Sequence, residues 1–566
     1  MSPVLFVGGL RNAQFEKYIS YIICHLKHLQ HPIHWRRFLM IPRRWFRSIW
    51  LILVPAFLLQ WLVLFSIKGP TWDAVSYYIY ARSAVFDQDL RFDNDYVLSY
   101  PTAGEHFESK QLDQIKTQTG RSANLFAVGS SLLWLPWLTL LRLGGKLVYS
   151  NKILTGYEGF FVTNIATLSA LFGLLAYWIA FRLAREITNK RLALLSTITL
   201  VFATPLVYYQ FREPMYSHAT SALTVALVVY VWWIQHEKIG TPSQAVGLGA
   251  LIGLAGLVRW QNLSYLLLPL VSMILLWWNL PEGRRKQAAR PILVYFLLVF
   301  VPTLAVFSLQ MSVWKVLFGS FVTIPQGGAF LDLRAPFLGS LLFSSFRGIL
   351  PWMPVFFFAF AGLVTLSKQK PKLGLPLLLM LMVALYINGS TRDWFAGGGY
   401  GPRRFTGTLA ILVVGYGAFL QWLPQRFRLW SAALLGIGLI LHQWILLRYG
   451  LPERIGGRVI SMQPTYIWED IPLQKFATDM LNFVPQLWKR PLDFLVLPDS
   501  PLDLLLRQQV WPVQHLAPLL TTAIFLLLVI TGGFYLGRRS KVDSKIVTLA
   551  IVILCLVNLW ILVGSG

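Results

Sequence analysis

Charge is scarce in this sequence: Asp, Glu, Lys and Arg make up 13% of its 566 residues, while 56% are hydrophobic. A soluble domain carries about 25% charge. A water-soluble globular fold is therefore excluded, and a mean hydropathy of +0.57 agrees. Cysteine is nearly missing. Cys24 and Cys555 stand at opposite ends of the chain, which leaves neither a disulfide framework nor a cysteine metal site to be read. Acidic residues are also few, 24 against 50 Lys and Arg, for a net charge of +26. Such a balance would fit nucleic acid, but no basic stripe with interleaved aromatics is present. Internal repeats of the kind many transporters carry are absent as well.

What the sequence does have is long apolar runs. A helix needs about 20 apolar residues to cross ~30 Å of hydrocarbon. Thirteen runs qualify: 46–67, 157–181, 192–209, 217–234, 243–260, 262–279, 291–312, 350–367, 373–388, 405–422, 429–447, 515–537 and 546–563. The first follows a basic stretch of about 45 residues and lacks a small-residue cleavage pattern, so it reads as an anchor rather than a signal peptide. The 23 Trp suit membrane interfaces.

Basic residues test this set, because Lys and Arg collect on the cytoplasmic side. Arg36, Arg37, Arg43, Arg44 and Arg47 place the N-terminus inside. Every second loop is then short and basic, with Arg182, Arg185, Lys190 and Arg191, then Lys238, then Arg284, Arg285, Lys286 and Arg290. Lys368, Lys370 and Lys372 continue the phase, followed by Arg426 and Arg428, then by Arg538, Arg539, Lys541 and Lys545. The expectation is an all-α polytopic membrane protein of about 13 transmembrane helices, integral to the plasma (inner) membrane, with its C-terminus outside.

The division expected is a basic cytoplasmic arm over 1–45 and a transmembrane core over 46–447. An extracytoplasmic cap over 448–514 and a C-terminal hairpin over 515–566 complete it. The opposite face carries the long segments 68–156, 313–349, 389–404 and 448–514. Within 68–156, "NLFAVGSSLLWLPWLTLLRL" is apolar enough to tempt a span assignment, but Pro136 interrupts it and counting it would break the charge phase. It is assigned to an interfacial helix bearing Trp134 and Trp137. The proline-rich 448–514 segment reads as a small irregular cap.

Eight of the 24 acidic residues fall between Asp73 and Asp113, as expected where a membrane protein keeps its soluble part. Asp73 differs from the rest. It lies about six residues past the first span, in "TWDAVSYY", among Trp72, Tyr77 and Tyr78. A carboxylate against aromatic surface at the bilayer edge is partly desolvated, which strengthens it as a base. Capping of an interfacial helix over "AVSYYIYARSAVF" competes for the same residue.

Three further clusters share that face. "QFREPMYSHA" gathers Arg212, Glu213 and His218 at the junction of two spans. "TRDWFAGGGYGPRRF" sets glycines, which let backbone approach a ligand closely, before Arg403 and Arg404 at the start of a span. Guanidiniums beside a helix N-terminus make a phosphate site. In "GLAGLVRWQNL", Arg259 sits near the membrane edge, where an ionisable side chain is a functional candidate. Inert readings stand beside these: Arg212–Glu213 as a surface ion pair, His218 on a backbone carbonyl, Arg259 snorkelling to the interface.

The order Asp73, Tyr78, Ala81, Arg82, Asp89 in "DAVSYYIYARSAVFDQDLRF" resembles the first outer loop of the GT-C membrane glycosyltransferases. The aminoarabinose transferases and protein O-mannosyltransferases are the nearest comparison, and "NLFAVGSSLLWLPWLTLLRLGG" and "GYGPRRF" resemble stretches of the same superfamily. The resemblance covers about 46–265 and, more loosely, 390–420. It implies inverting transfer of a sugar from a polyprenyl-phosphate donor to a glycolipid, polysaccharide or protein acceptor on the extracytoplasmic face. Asp73 would be the general base, with Glu213 and His218 also catalytic and Arg403, Arg404 and Arg259 on the donor phosphate. Tyr77, Tyr78, Arg82, Asp89, Asp95 and Glu105 would meet substrate. Mannosyltransferases of this group pair acids at the first position, whereas Ala74 follows Asp73 here. A second acid would then come from Asp95, Glu105 or Glu213, and neither metal nor cofactor is predicted. The competing functions are a lipid-linked-sugar transporter or flippase, which needs polar residues along a path through the spans, and a non-enzymatic envelope-assembly protein.

Overall fold

The structure, a computed structural model, describes residues 43–66, 69–70, 73–99, 114–148, 153–236, 240–344, 346–397 and 399–449, with 454–455, 458–459, 481 and 500–506 beyond them. The chain divides into one unit of Met1–Ile52 with Ala523–Ala550 and another of Leu53–Thr522 with Ile551–Gly566. The regular secondary structure of the described residues is helical, apart from isolated bridges and a two-residue antiparallel pair at Arg454–Ile455 and Arg458–Val459. In chain order the helices are α1 (Arg43–Leu64), α2 (Asp73–Arg82), α3 (Asp93–Ser99), α4 (Gly129–Val148), α5 (Gly159–Ile187), α6 (Lys190–Phe202) and α7 (Leu206–Phe211). Then come α8 (His218–Trp233), α9 (Pro242–Val258), α10 (Leu267–Trp278), α11 (Glu282–Phe318), α12 (Leu338–Phe343), α13 (Ile349–Trp352), α14 (Val355–Gln369), α15 (Pro371–Gly389), α16 (Leu409–Trp422) and α17 (Arg428–Tyr449).

Each expected span from 46–67 to 429–447 is met by a helix or a broken pair. Six segments among the described residues are long and apolar enough to cross a membrane. The expected spans 515–537 and 546–563 lie outside the described residues, as do most of the basic arm and of the cap. Breaks fall where backbone bonding fails locally. Pro205 lacks an N–H and separates α6 from α7, and Pro354 does the same between α13 and α14. Two spans open on 3-10 turns, Trp260–Leu266 ahead of α10 and Arg403–Thr408 ahead of α16.

In lipid there is little hydrophobic drive between helices, so close approach depends on small residues. A Cβ on Gly249 would stand 2.1 Å from the Val299 carbonyl oxygen, and one on Gly253 would stand 2.7 Å from that of Thr303. Thr303 Oγ1 donates to the Gly249 carbonyl at 2.9 Å, tying α9 to α11. Between α14 and α16, a Cβ on Gly362 would reach 1.8 Å from the Gly415 carbonyl oxygen. In the apolar stretches of the segments containing α5 and α16, 78% and 83% of residues are buried, which puts these helices at the centre, whereas the share is 28% in the apolar stretches of α11 and α17. On α11, Leu293, Leu297, Val301 and Leu304 make an exposed apolar stripe at helical spacing, fit for lipid, while Tyr295, Val299 and Thr303 pack inward.

Two expectations for the first loop are revised. α2 is enclosed on every side from Ala74 to Arg82 rather than amphipathic at an interface. Between Asp73 and Arg82 every residue but Ser76 is apolar or aromatic, so no polar stripe marks out a solvent face. In α4, Trp134 is turned fully inward while Leu140 and Leu143 are exposed, so the leucines rather than that tryptophan supply the outer surface.

Gly362→Val should lower the melting temperature of detergent-solubilised protein, by overpacking on the order of 1–3 kcal/mol. An unchanged melting temperature would mean that α14 and α16 do not approach this closely.

Candidate functional site

Asp73 is the first residue of α2, where a carboxylate complements the positive end of the helix dipole. Arg82 closes the same helix at its negative end. Asp73 Oδ2 accepts from Arg403 Nη1 at 2.7 Å, although 330 positions separate the two in sequence. Both side chains are mostly covered, 24% and 15% exposed. The Arg403 guanidinium also lies over the Tyr216 ring, 5.5 Å from its centroid.

The backbone around Arg403 explains the glycines before it. A Cβ on Gly399 would strike Tyr209 Oη at 2.6 Å and Arg403 Cδ at 2.7 Å, so only glycine leaves room for both. Tyr209 Oη accepts from the Tyr400 N–H at 2.5 Å, and Tyr208 stacks on the Tyr400 ring with centroids 4.9 Å apart. Ala396 holds φ of +60°, a left-handed conformation rare for a residue with a side chain, and Gly397 follows at +62°. Such strain persists only where surrounding structure over-determines it, and it collects at functional sites.

Behind Arg403, Thr406 Oγ1 donates to the Arg403 carbonyl at 2.8 Å and meets His218 Nδ1 at 2.8 Å. Arg259 Nη1 approaches the same Nδ1 at 3.3 Å and Ser217 Oγ at 3.3 Å. One ring nitrogen cannot donate to Thr406 while accepting from Arg259, so the His218 tautomer decides which contact forms. His218 is fully buried and packs on Tyr209, ring centroids 4.1 Å apart. The four clusters singled out in the sequence thus meet at one place. Asp73, His218, Arg403 and Trp260, the residue after Arg259, each open a helix or a 3-10 turn. Convergent N-termini and two guanidiniums around one carboxylate leave an excess of positive potential, suited to an anionic group.

The adjacent arginines part company. Arg404 Nη2 contacts Asp393 Oδ1 at 2.6 Å, Nη1 bonds Thr391 Oγ1, and the guanidinium lies over the Phe330 ring. Glu213 sits within electrostatic range of Tyr208 and Tyr216, the latter also within range of Asp73. Tyr77 is buried within electrostatic range of Arg259, Asp73 and Arg403.

The remaining expected substrate residues form a second cluster at the other end of α2. Arg82 Nε donates to the Thr155 carbonyl at 2.7 Å, and Nη1 pairs with Asp87 and with Asp95 Oδ1 at 3.1 Å. Tyr157 Oη donates to Asp95 Oδ1 at 3.0 Å, and Tyr78 Oη donates to the Gly156 carbonyl at 2.6 Å. Asp89 Oδ1 accepts from Ser83 Oγ at 2.7 Å and from the Arg91 N–H. Glu105 lies outside the described residues.

Sequence reasoning overlooked Tyr209, Tyr216, Tyr400 and Arg347. Arg347 is 7% exposed and within electrostatic range of Tyr208 and Tyr209. Its signal was available: like Arg403, it stands just before an apolar run, on the side the charge phase makes poor in arginine.

Residues 151–308 match the family model described as Dolichyl-phosphate-mannose-protein mannosyltransferase. The chain resembles the GT-C glycosyltransferases. The matched segment holds Glu213, His218 and Arg259 of the site. Among solved structures, the archaeal oligosaccharyltransferase AglB from Archaeoglobus fulgidus, in complex with an inhibitory peptide and a dolichol-phosphate, is 13% identical, with a TM-score of 0.44. That alignment covers 74% of this chain and 61% of AglB, under two thirds of its length. ArnT from Cupriavidus metallidurans, bound to undecaprenyl phosphate, is 15% identical, with a TM-score of 0.44 over 83% of this chain and 75% of ArnT. Comparison with curated proteins returned no match.

Burial pushes the Asp95 carboxyl up from the ordinary 3.8 to about 7, against the opposing pull of Arg82 and of the Tyr157 hydroxyl. The folded state then holds a proton between about pH 4 and 7 that the unfolded state releases. That contribution to stability is complete below about pH 4 and is lost as pH rises through 7. Unfolding temperatures measured from pH 5 to 8 should fall less steeply for Asp95→Asn than for the wild type. Equal slopes would remove Asp95 as the titrating group.

Proposed function

We propose that the protein transfers a sugar from a polyprenyl-phosphate donor to an acceptor on the extracytoplasmic face of the membrane. The observation that carries this reading is the contact of Asp73 with Arg403, with Arg259 and His218 behind it. Arg403 and Arg259 would hold the donor phosphate, and Arg404 would brace the 391–397 loop through Asp393. Oδ1 of Asp73 would take the proton of the acceptor hydroxyl or amine as that atom attacks C1 of the sugar. The bond from C1 to the phosphate oxygen breaks, its electron pair leaves with the phosphate, and the anomeric configuration inverts. Charge growing on the leaving phosphate is met by guanidiniums already in place, at little reorganisation cost. Tyr209, Tyr216 and His218 would shape the sugar subsite around this centre.

Membranes supplied with a radiolabelled polyprenyl-phosphate sugar test the assignment. Asp73→Asn should lower kcat by about 10²–10⁴-fold, the usual worth of general-base catalysis. Transfer at the wild-type rate would dismiss Asp73 as the base. Arg403→Ala should raise the donor KM about tenfold or more, the scale of a lost charge-assisted hydrogen bond.

The proposed facing is open to labelling in a chain whose Cys24 and Cys555 are replaced by Ser. A membrane-impermeant maleimide should modify Ser320→Cys in intact cells, and Lys286→Cys only after permeabilisation. The reverse pattern would put the site on the cytoplasmic face.

A further inference from the structure

A cavity of about 720 Å³ opens beside α2, with Ser76, Tyr96, Gln114, Gln118, Phe126 and Thr323 in its lining. It is distinct from the Asp73–Arg403 contact but adjacent to it. Ser76 follows Asp73 by three residues, so the two share a helix face about one turn apart. Tyr77, which neighbours both, packs its ring on Phe126 with centroids 4.9 Å apart.

The wall is held from several sides. Asn124 Nδ2 donates to the Ser76 carbonyl at 2.7 Å, and Tyr80 Oη to the Phe126 carbonyl at 3.2 Å. Thr117 Oγ1 donates to the Leu317 carbonyl at the end of α11, 2.6 Å away, and Gln326 Nε2 to the Leu125 carbonyl at 2.9 Å. The lining contains one charged side chain, Lys116, which is already paired with Asp93. An anionic headgroup would find no free cation among these residues, and a cationic ligand would find no carboxylate. Gln118 Nε2, Thr117 Oγ1 and Tyr96 Oη already donate to the Phe318, Leu317 and Ala123 carbonyls. What the lining offers is therefore the Gln114 amide, the Gln118 amide oxygen, the Ser76 and Thr323 hydroxyls and the rings of Phe126 and Phe318. Aromatic faces take the apolar C–H faces of a pyranose, and amides and hydroxyls serve its hydroxyl groups in both directions. The volume falls within the ~300–1,000 Å³ of built ligand clefts.

We propose that this cavity binds a neutral oligosaccharide. Its role as the acceptor cleft, presenting a glycan hydroxyl toward Asp73, rests on the sugar-transfer reading above.

The test uses the full-length protein in lipid nanodiscs, applied to an array of neutral oligosaccharides (chitooligosaccharides, mannans and glucans) and of unglycosylated peptides. Leu125 lines the cavity and is 39% exposed, so Leu125→Trp fills the space without cutting into the core. Phe126→Ala removes a stacking face. The expected result is capture of at least one oligosaccharide by the wild type, weakened about tenfold or more in each variant, with the melting temperature of Leu125→Trp kept. No captured oligosaccharide, capture undiminished in both variants, or capture of peptides instead would each overturn the proposal. Sugar transfer measured on the same preparations separates the two ideas. An inactive wild type whose oligosaccharide binding falls in Leu125→Trp removes the transfer reading and keeps the cleft; active transfer with undiminished binding does the reverse.

Discussion

The contact between Asp73 and Arg403 draws together parts of the chain that share no local relation. A carboxylate and a guanidinium, each mostly withdrawn from solvent, lose hydration that only a well-formed partner restores. That requirement propagates outward. α2 must present its first residue at a fixed place, so its remaining residues are enclosed. The chain before Arg403 must turn within reach of Tyr209, which requires Gly399 and a strained Ala396. Thr406 and His218 then hold the backbone of Arg403 from behind.

The surrounding helices create the low-polarity setting in which such a pair matters. Lipid supplies little drive to bring one apolar helix against another, and here glycines remove the steric barrier between α9 and α11 and between α14 and α16. The centre of the bundle is polar where the site sits, with Asn262 donating to Ser221 Oγ and to the Ala255 carbonyl. Both 3-10 turns belong to this region, and a 3-10 turn at the entry of a helix often marks such a place.

At its far end α2 is secured by a second buried contact, Arg82 with Asp95, reinforced by the Thr155 carbonyl and Tyr157. One helix therefore carries two carboxylate–arginine contacts with different settings. The Asp95 pair is sealed, with both members under 5% exposed. The Asp73 pair keeps access to its surroundings, and the proposed chemistry needs that opening. The cavity beside Ser76 lies along the same helix, so α2 links the three features.

Apolar length and charge phase were readable one residue after another, because crossing a bilayer is a property of a continuous segment. Each apolar run from 46–67 to 429–447 accordingly holds a helix or a broken pair, with breaks at Pro205 and Pro354, whereas α2, α3, α4 and α12 belong to the long segments between them. Residue chemistry also marked Asp73, His218, Arg259 and Arg403 as unusual for their positions. Which of them meet could not be read, because a contact spanning 330 residues depends on packing rather than on spacing. The same limit explains why Arg403 and Arg404, adjacent and alike in sequence, part toward Asp73 and Asp393. It also explains why Asp95, similar to its neighbours in sequence, is sealed against Arg82. The sequence by itself determined a helical membrane protein and a short set of candidate residues. Tertiary structure decided which charges share a site, since a buried charge is defined by its partner, and the partner comes from another helix.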